Sequence, residues 1–62
     1  EDADYIYGCL EDAGGFLPFH DKSDPEAIKN RFHMSKNAFK RAIGNLMKAG
    51  KITIAKDGIR IS

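Results

Sequence analysis

Cationic and amide side chains recur through the second half of this chain, and they are its best candidates for chemistry. Lysine and arginine neutralise phosphate oxygens and release the counterions condensed on a nucleic acid, and an asparagine amide can donate to or accept from base edges. The predicted contact set is Lys36, Asn37, Lys40, Arg41, Lys48, Lys51, Lys56 and Arg60. These residue types indicate binding to a polyanion, and an ordinary solvated helix surface is the alternative.

Side chains suited to catalysis or metal binding are scarce. Cys9, His20 and His33 are too few and wrongly spaced for a four-ligand zinc site. His20 has Asp21 beside it, but no serine or cysteine nucleophile belongs to the same constellation. Cys9 falls on the apolar face of the first predicted helix, which favours a small buried hydrophobe over a nucleophile. We therefore expect no enzymatic activity, no metal, no cofactor and no small-molecule substrate.

The formal net charge of +1 conceals a division along the chain. Residues 1–26 hold eight carboxylates and one lysine, a net charge of −7. Residues 27–62 hold nine lysines and arginines and one aspartate, a net charge of +8. This asymmetry indicates a side that faces a polyanion and an acidic side that faces solvent or a partner. The alternative is that opposite charges pair within the fold.

Length and composition allow one small soluble domain, residues 1–62. Hydrophobic residues make up 42% of the chain, but no apolar run approaches the roughly 18 residues that span a membrane. A single cysteine cannot form an internal disulfide, which favours the reducing cytoplasm. Because the chain begins with Glu1 rather than methionine, we interpret it as a piece of a longer protein.

Helical spacing of apolar residues predicts three helices. The first covers residues 3–13 and ends at Gly14–Gly15. A short edge strand is predicted to follow at residues 16–19. Asp24 is the predicted N-cap of the second helix, with Ser23 as the alternative through a capping box.

The third helix is predicted to carry most of the contact set. Ser35 caps it, and it runs through Ala49 to a stop at Gly50. His33 stands in the preceding turn, where a histidine tolerates the left-handed conformation. Gly44 lies on the exposed side, and such a glycine usually means that a ligand or another backbone comes close. The predicted core-facing stripe is Phe39, Ala42, Ile43, Leu46 and Met47.

Residues 51–61 alternate between apolar and polar side chains around Asp57–Gly58, which predicts a β-hairpin with a two-residue type I′ turn. This turn would pair Lys56 with Ile59 and Ala55 with Arg60. The register and the alternation agree, and together they predict a shared core face for Ile52, Ile54, Ile59 and Ile61.

The order helix, strand, helix, helix, hairpin predicts an α+β winged helix. A turn of about three residues separates the second and third helices, which is the spacing of a helix-turn-helix. The short strand pairs with the hairpin, and the hairpin is the wing. The third helix is then the recognition helix, whose N-terminal half enters a groove.

Two stretches of the chain resemble a known family. They are Gly-Gly-Phe-Leu-Pro-Phe-His-Asp-Lys-Ser-Asp-Pro-Glu-Ala-Ile at 14–28 and Met-Ser-Lys-Asn-Ala-Phe-Lys-Arg-Ala-Ile-Gly at 34–44. Both are similar to the conserved virulence factor B family of bacterial S1-domain proteins. The resemblance implies the C-terminal winged helix of a cytoplasmic RNA-binding regulator whose other modules are S1-like. It supports Lys36, Lys40 and Arg41 as contacts and supplies no catalytic residue, while His33 departs from the family's usual glycine.

Two functions stay open at this point. In the first, nucleic acid, RNA or possibly DNA, binds along the third helix and the wing. In the second, the domain is a scaffold module that packs against neighbouring S1-like domains of the same chain without contacting nucleic acid. Neither function involves a membrane.

Overall fold

The computed structural model describes residues 2–62, and its elements follow the predicted order. They are α1 (Asp2–Asp12), β1 (Phe16–Leu17), α2 (Pro25–Phe32), α3 (Lys36–Lys48), β2 (Ile52–Ala55) and β3 (Gly58–Ile61). The three strands form one antiparallel sheet in the order β1-β3-β2. The predicted α+β winged helix is confirmed, with a first strand two residues long rather than four. Across these residues, no helix is both long and apolar enough to cross a membrane.

Local capping chemistry fixes where α2 and α3 begin. The Asp24 carboxylate accepts a hydrogen bond from the backbone N–H of Ala27 at 3.1 Å, so Asp24 is the N-cap of α2. The alternative through Ser23 is wrong, because the Ser23 hydroxyl instead accepts from the backbone N–H of His20 at 2.9 Å. Ser35 caps α3 as predicted, since its hydroxyl accepts from the N–H of Ala38 at 3.1 Å.

His33 makes the sharp turn between α2 and α3. Its backbone is left-handed, with φ 60° and ψ 35°, and its N–H donates to the carbonyl of Lys29 at 2.8 Å. The predicted role of His33 in the turn is confirmed. Because this one residue reverses the chain, α3 starts three residues after it and packs against α2.

The hairpin forms, but the predicted register is wrong by two residues. Ile54 pairs with Ile59 and Ala55 with Gly58, so the loop is Lys56–Asp57. A type I′ turn needs positive φ at both central residues, and neither of these has it. The physical reason is β1: a Cβ on Gly58 would collide with the Leu17 carbonyl oxygen, so this glycine is needed inside β3 rather than in the turn. A two-residue shift leaves each side chain on its predicted face.

The core lies where α3 packs against α1, α2 and the sheet. Phe32 is central to it, with its ring centroid 5.1 Å from those of Phe19 and Phe39. The buried apolar residues are Ile6, Leu10, Leu17, Ile28, Phe32, Phe39, Ala42, Ile43, Leu46, Ile52 and Ile59.

Two of the four hairpin isoleucines are less buried than predicted. Ile52 and Ile59 are core residues, whereas Ile54 and Ile61 are half-buried at its edge. Ile54 borders an open groove beside residues 20–22, and Ile61 borders another near the end of α1. The alternation therefore identifies the inward face, but not how far the helices cover it.

Met47 and Cys9 also lie outside the core, at the margins of helical stripes. Met47 is 49% exposed, because it projects about 90° from the centre of the buried stripe of α3. Cys9 is half-buried rather than buried, and an Arg31 guanidinium nitrogen lies 3.9 Å from its sulfur.

Candidate nucleic-acid interface

α3 presents opposite faces to the core and to solvent. Its buried residues recur at three- and four-residue spacing, from Phe39 to Leu46. With about 100° between successive residues, the positions directly opposite form a line that we term the outward ridge. The outward ridge consists of Asn37, Arg41, Gly44 and Lys48. All but the half-buried Gly44 are exposed, so two cations and an amide project straight away from the core.

Lys36 and Lys40 flank the outward ridge on one side. Lys40 is exposed, and Lys36 in the first turn of the helix is half-buried. Met47 lies on the same side, about two turns beyond Lys40 and three beyond Lys36. α3 thus brings together five of the eight predicted contact residues, and Met47 is an exposed neighbour that the sequence assigned to the core.

The remaining three predicted residues lie on and around the wing. Lys51 precedes β2 and Lys56 is in the hairpin loop, about 16 Å away at the usual rise per strand residue. Lys51 Nζ lies 5.6 Å from the centroid of the Tyr7 ring. Lys51, Lys56 and Arg60 are all exposed, but the strand length separates the two lysines and prevents a single compact cluster.

Arg60 is the most constrained of the predicted contact residues. One guanidinium nitrogen lies 3.0 and 3.3 Å from the two carboxylate oxygens of Asp57. Its guanidinium carbon also lies 4.9 Å from the centroid of the Phe16 ring, which sits opposite it in the sheet. Asp57 offsets part of the charge of Arg60, and the two contacts hold the side chain against the sheet.

Ion pairs between the acidic and basic halves are absent from the part of the chain that the structure describes. Within residues 2–62, the pairs with N–O distances up to 4.0 Å are Arg60–Asp57 and His20–Asp21, each within a single half. The alternative that opposite charges pair across the fold is therefore wrong for these residues. No carboxylate of residues 2–62 lies within 4.0 Å of a cation of α3, although Asp2 and Arg41 line the same small pocket.

His20 has a structural explanation. Its Nδ1 accepts a hydrogen bond from the backbone N–H of Lys22 at 3.1 Å, while Asp21 lies 4.0 Å from the same atom. The imidazole therefore shapes the loop before α2. Among residues 2–62, no three His, Cys, Asp or Glu side chains are grouped so as to hold a metal ion.

The turn between α2 and α3 adds a feature that the sequence reasoning missed. An open groove of about 450 Å³ lies there, at the N-terminal end of α3. Lys29 lines this groove near the start of α3, and it is a cation outside the predicted contact set. The short turn predicted from the sequence was the signal that could have identified it. The groove is lined by Lys29, Asn30, His33, Met34 and Ser35.

Comparisons with known proteins agree with this architecture. A family model described as the CvfB-like winged helix domain matches residues 4–61. The chain is 51% identical to conserved virulence factor B of Staphylococcus aureus strain N315, over 94% of this chain and 22% of that protein. It is 50% identical to conserved virulence factor B of Staphylococcus saprophyticus, over 100% of this chain and 21% of that protein.

A solved structure extends the similarity to three dimensions. It is a multidomain protein with nucleic acid binding domains from Streptococcus pneumoniae TIGR4, with a TM-score of 0.97 and 47% identity. The match covers 100% of this chain and 22% of that one. The chain therefore spans about a fifth of the length of the relatives it matches. With its fold, the family match over residues 4–61 and about 50% identity to named members, the chain belongs to the conserved virulence factor B family, as a winged-helix domain.

Proposed function

We propose that this domain binds nucleic acid, RNA in preference to DNA, through phosphate contacts along α3 and the wing. The observation that carries the proposal is the outward ridge with its flanking lysines, whose cations have no carboxylate within 4.0 Å among residues 2–62. Such cations gain free energy on meeting a polyanion by releasing its condensed counterions. The proposed contact residues are Lys36, Asn37, Lys40, Arg41, Lys48, Lys51, Lys56 and Arg60.

The proposed contact residues have different roles. The lysines and arginines bind phosphates and set the orientation of the strand, whereas Asn37 reaches bases or sugars. Arg60 contributes least, because Asp57 already offsets part of its charge. The description of the Streptococcus pneumoniae relative as a multidomain protein with nucleic acid binding domains supports the same class of ligand.

The domain acts, in this proposal, as a non-catalytic module of a longer cytoplasmic regulatory protein. S1-like domains elsewhere in that protein supply further RNA contacts. Linking modules raises affinity because the second binding event is intramolecular. A weak contact by this domain is then sufficient for its role.

A second candidate function rests on the exposed surface of α1. Asp4, Glu11 and Asp12 are exposed there, and no cation lies within 4.0 Å of them among residues 2–62. Tyr5, on the same side of the helix, is 46% exposed. This surface would suit a scaffold module that docks on a basic, partly apolar neighbouring domain.

Chemical-shift mapping distinguishes the two candidates. The 62-residue chain, labelled with ¹⁵N, is titrated with short single-stranded RNA, duplex RNA and duplex DNA at low salt. Nucleic-acid binding through α3 predicts perturbations centred on residues 35–60. Perturbations confined to residues 2–24, or no saturable perturbation with any of the three ligands, would contradict the proposal.

A further inference from the structure

Gly44 has no structural reason to be glycine within the part of the chain that the structure describes. It lies in the interior of α3 and is not among the positive-φ residues. A Cβ built on it would meet no atom within 4 Å. Neither the backbone conformation nor internal packing therefore requires a residue without a side chain at this position.

Glycine at such a position destabilises its helix. In a helix interior it is less favourable than every ordinary residue except proline, because it loses the most backbone entropy on folding. Alanine would fit the open space above Gly44 and would stabilise α3. Nothing within residues 2–62 accounts for this destabilising choice, and close contact with a partner outside the chain would account for it.

The residues one turn before and after Gly44 indicate what lies outside. Its neighbours at three- and four-residue spacing are Lys40, Arg41, Met47 and Lys48, all exposed. Three of these carry positive charge on long flexible stems, and Met47 adds an apolar surface. Gly44 is thus the floor of a depression in the outward ridge, with cations on both sides along the helix.

We propose that Gly44 is the point where the sugar–phosphate backbone of the bound strand comes into van der Waals contact with the main chain of α3. This inference rests on the proposed nucleic-acid function and assigns a positioning residue within it. The cations one turn away on either side hold the strand over the depression. Because Gly44 has no side chain, the strand can approach closely enough for these cations to reach its phosphates.

Gly8 provides a matched control within the same chain. It also lies in a helix interior, and a Cβ built on it would also meet nothing within 4 Å. Its neighbours at the same spacing are Tyr5 and three carboxylates that would repel phosphates, Asp4, Glu11 and Asp12. A side chain at Gly8 tests the helix effect of replacing glycine without touching the proposed interface.

The test compares Gly44→Ala and Gly44→Leu with Gly8→Ala and Gly8→Leu in the 62-residue chain. Affinities are measured by fluorescence anisotropy at low salt, with a labelled single-stranded RNA and a labelled duplex DNA. Both alanine variants should raise Tm by about 4–8 °C, because alanine replaces a helical glycine. Only the Gly44 variants should bind more weakly, by about fivefold for alanine and at least tenfold for leucine, since each added group must displace the strand.

The possible results distinguish the role of Gly44 from the proposed nucleic-acid binding on which it rests. If the unmodified chain binds but the Gly44 variants bind as tightly, or the Gly8 variants lose as much affinity, the role of Gly44 is overturned and the proposed function stands. If the unmodified chain binds neither probe, both proposals are overturned.

Discussion

Gly58 could serve in the hairpin turn or in the sheet, and the two positions require different registers. The dipeptide Asp57–Gly58 is typical of a type I′ turn, and turn chemistry alone places the glycine in the loop. In the structure Gly58 lies in β3, because its backbone passes too close to Leu17 of β1 for any side chain to fit. The hairpin was predictable from local sequence, but its register depends on a strand that is distant in sequence.

Replacing Gly58 with alanine tests this close approach. We expect Gly58→Ala to lower the free energy of unfolding by about 2–4 kcal/mol, because the methyl group must displace β1 and the backbone is strained. Urea denaturation followed by circular dichroism measures the change. Gly14→Ala is the control, since Gly14 also has a positive φ, of 80°, but open space around it. Equal losses for the two variants would contradict the packing of β1 on Gly58.

At the scale of helices and strands, features that depend on nearby residues can be predicted from the sequence. Features that depend on distant segments cannot. Asp24 and Ser35 were identified as caps because each bonds to an amide three residues along the chain. The burial of Ile54 and Met47 was not predicted correctly, because it depends on what distant segments leave uncovered. The periodicity of apolar residues predicts which way a side chain points. How much of that side chain is buried depends on the assembled fold.

The two paired isoleucines of the wing should differ in their contribution to stability. Ile59 is fully buried, so Ile59→Ala should cost about 2–5 kcal/mol and leave so small a domain largely unfolded. Ile54 is half-buried, so Ile54→Ala should cost about half as much. Thermal denaturation of both variants against the unmodified chain gives the comparison. A larger loss for Ile54→Ala would mean that the wing packs differently.

At the scale of the whole molecule, charge is segregated rather than paired. The acidic residues of α1 and the cations of α3 were separable by sequence position, and the structure leaves them unpaired across residues 2–62. Which of the eight predicted residues touch phosphate stays a prediction. The spacing of residues along a helix assigns each of them to one face. Contact with phosphate also depends on the shapes of the domain and of the nucleic acid.

Reversing charge on α1 should strengthen binding without moving the binding site. Glu11→Lys with Asp12→Lys removes repulsion and adds long-range attraction, so RNA affinity should rise modestly at low salt. The rise should vanish at high salt, where exposed charges are screened. Glu11→Gln with Asp12→Asn is the control and should give a smaller rise. A loss of affinity in the lysine variant would place α1 inside the interface.

The salt dependence of RNA affinity tests the central claim, that α3 and the wing bind phosphates. About five contacts with a single strand give a slope of log affinity against log salt near −3.5. Lys40→Ala with Arg41→Ala should flatten that slope by up to about 1.4, because two contacts are lost. Lys22→Ala with Arg31→Ala removes the same residue types outside the predicted set and should leave the slope unchanged. An unchanged slope in a folded Lys40→Ala and Arg41→Ala variant would contradict the account.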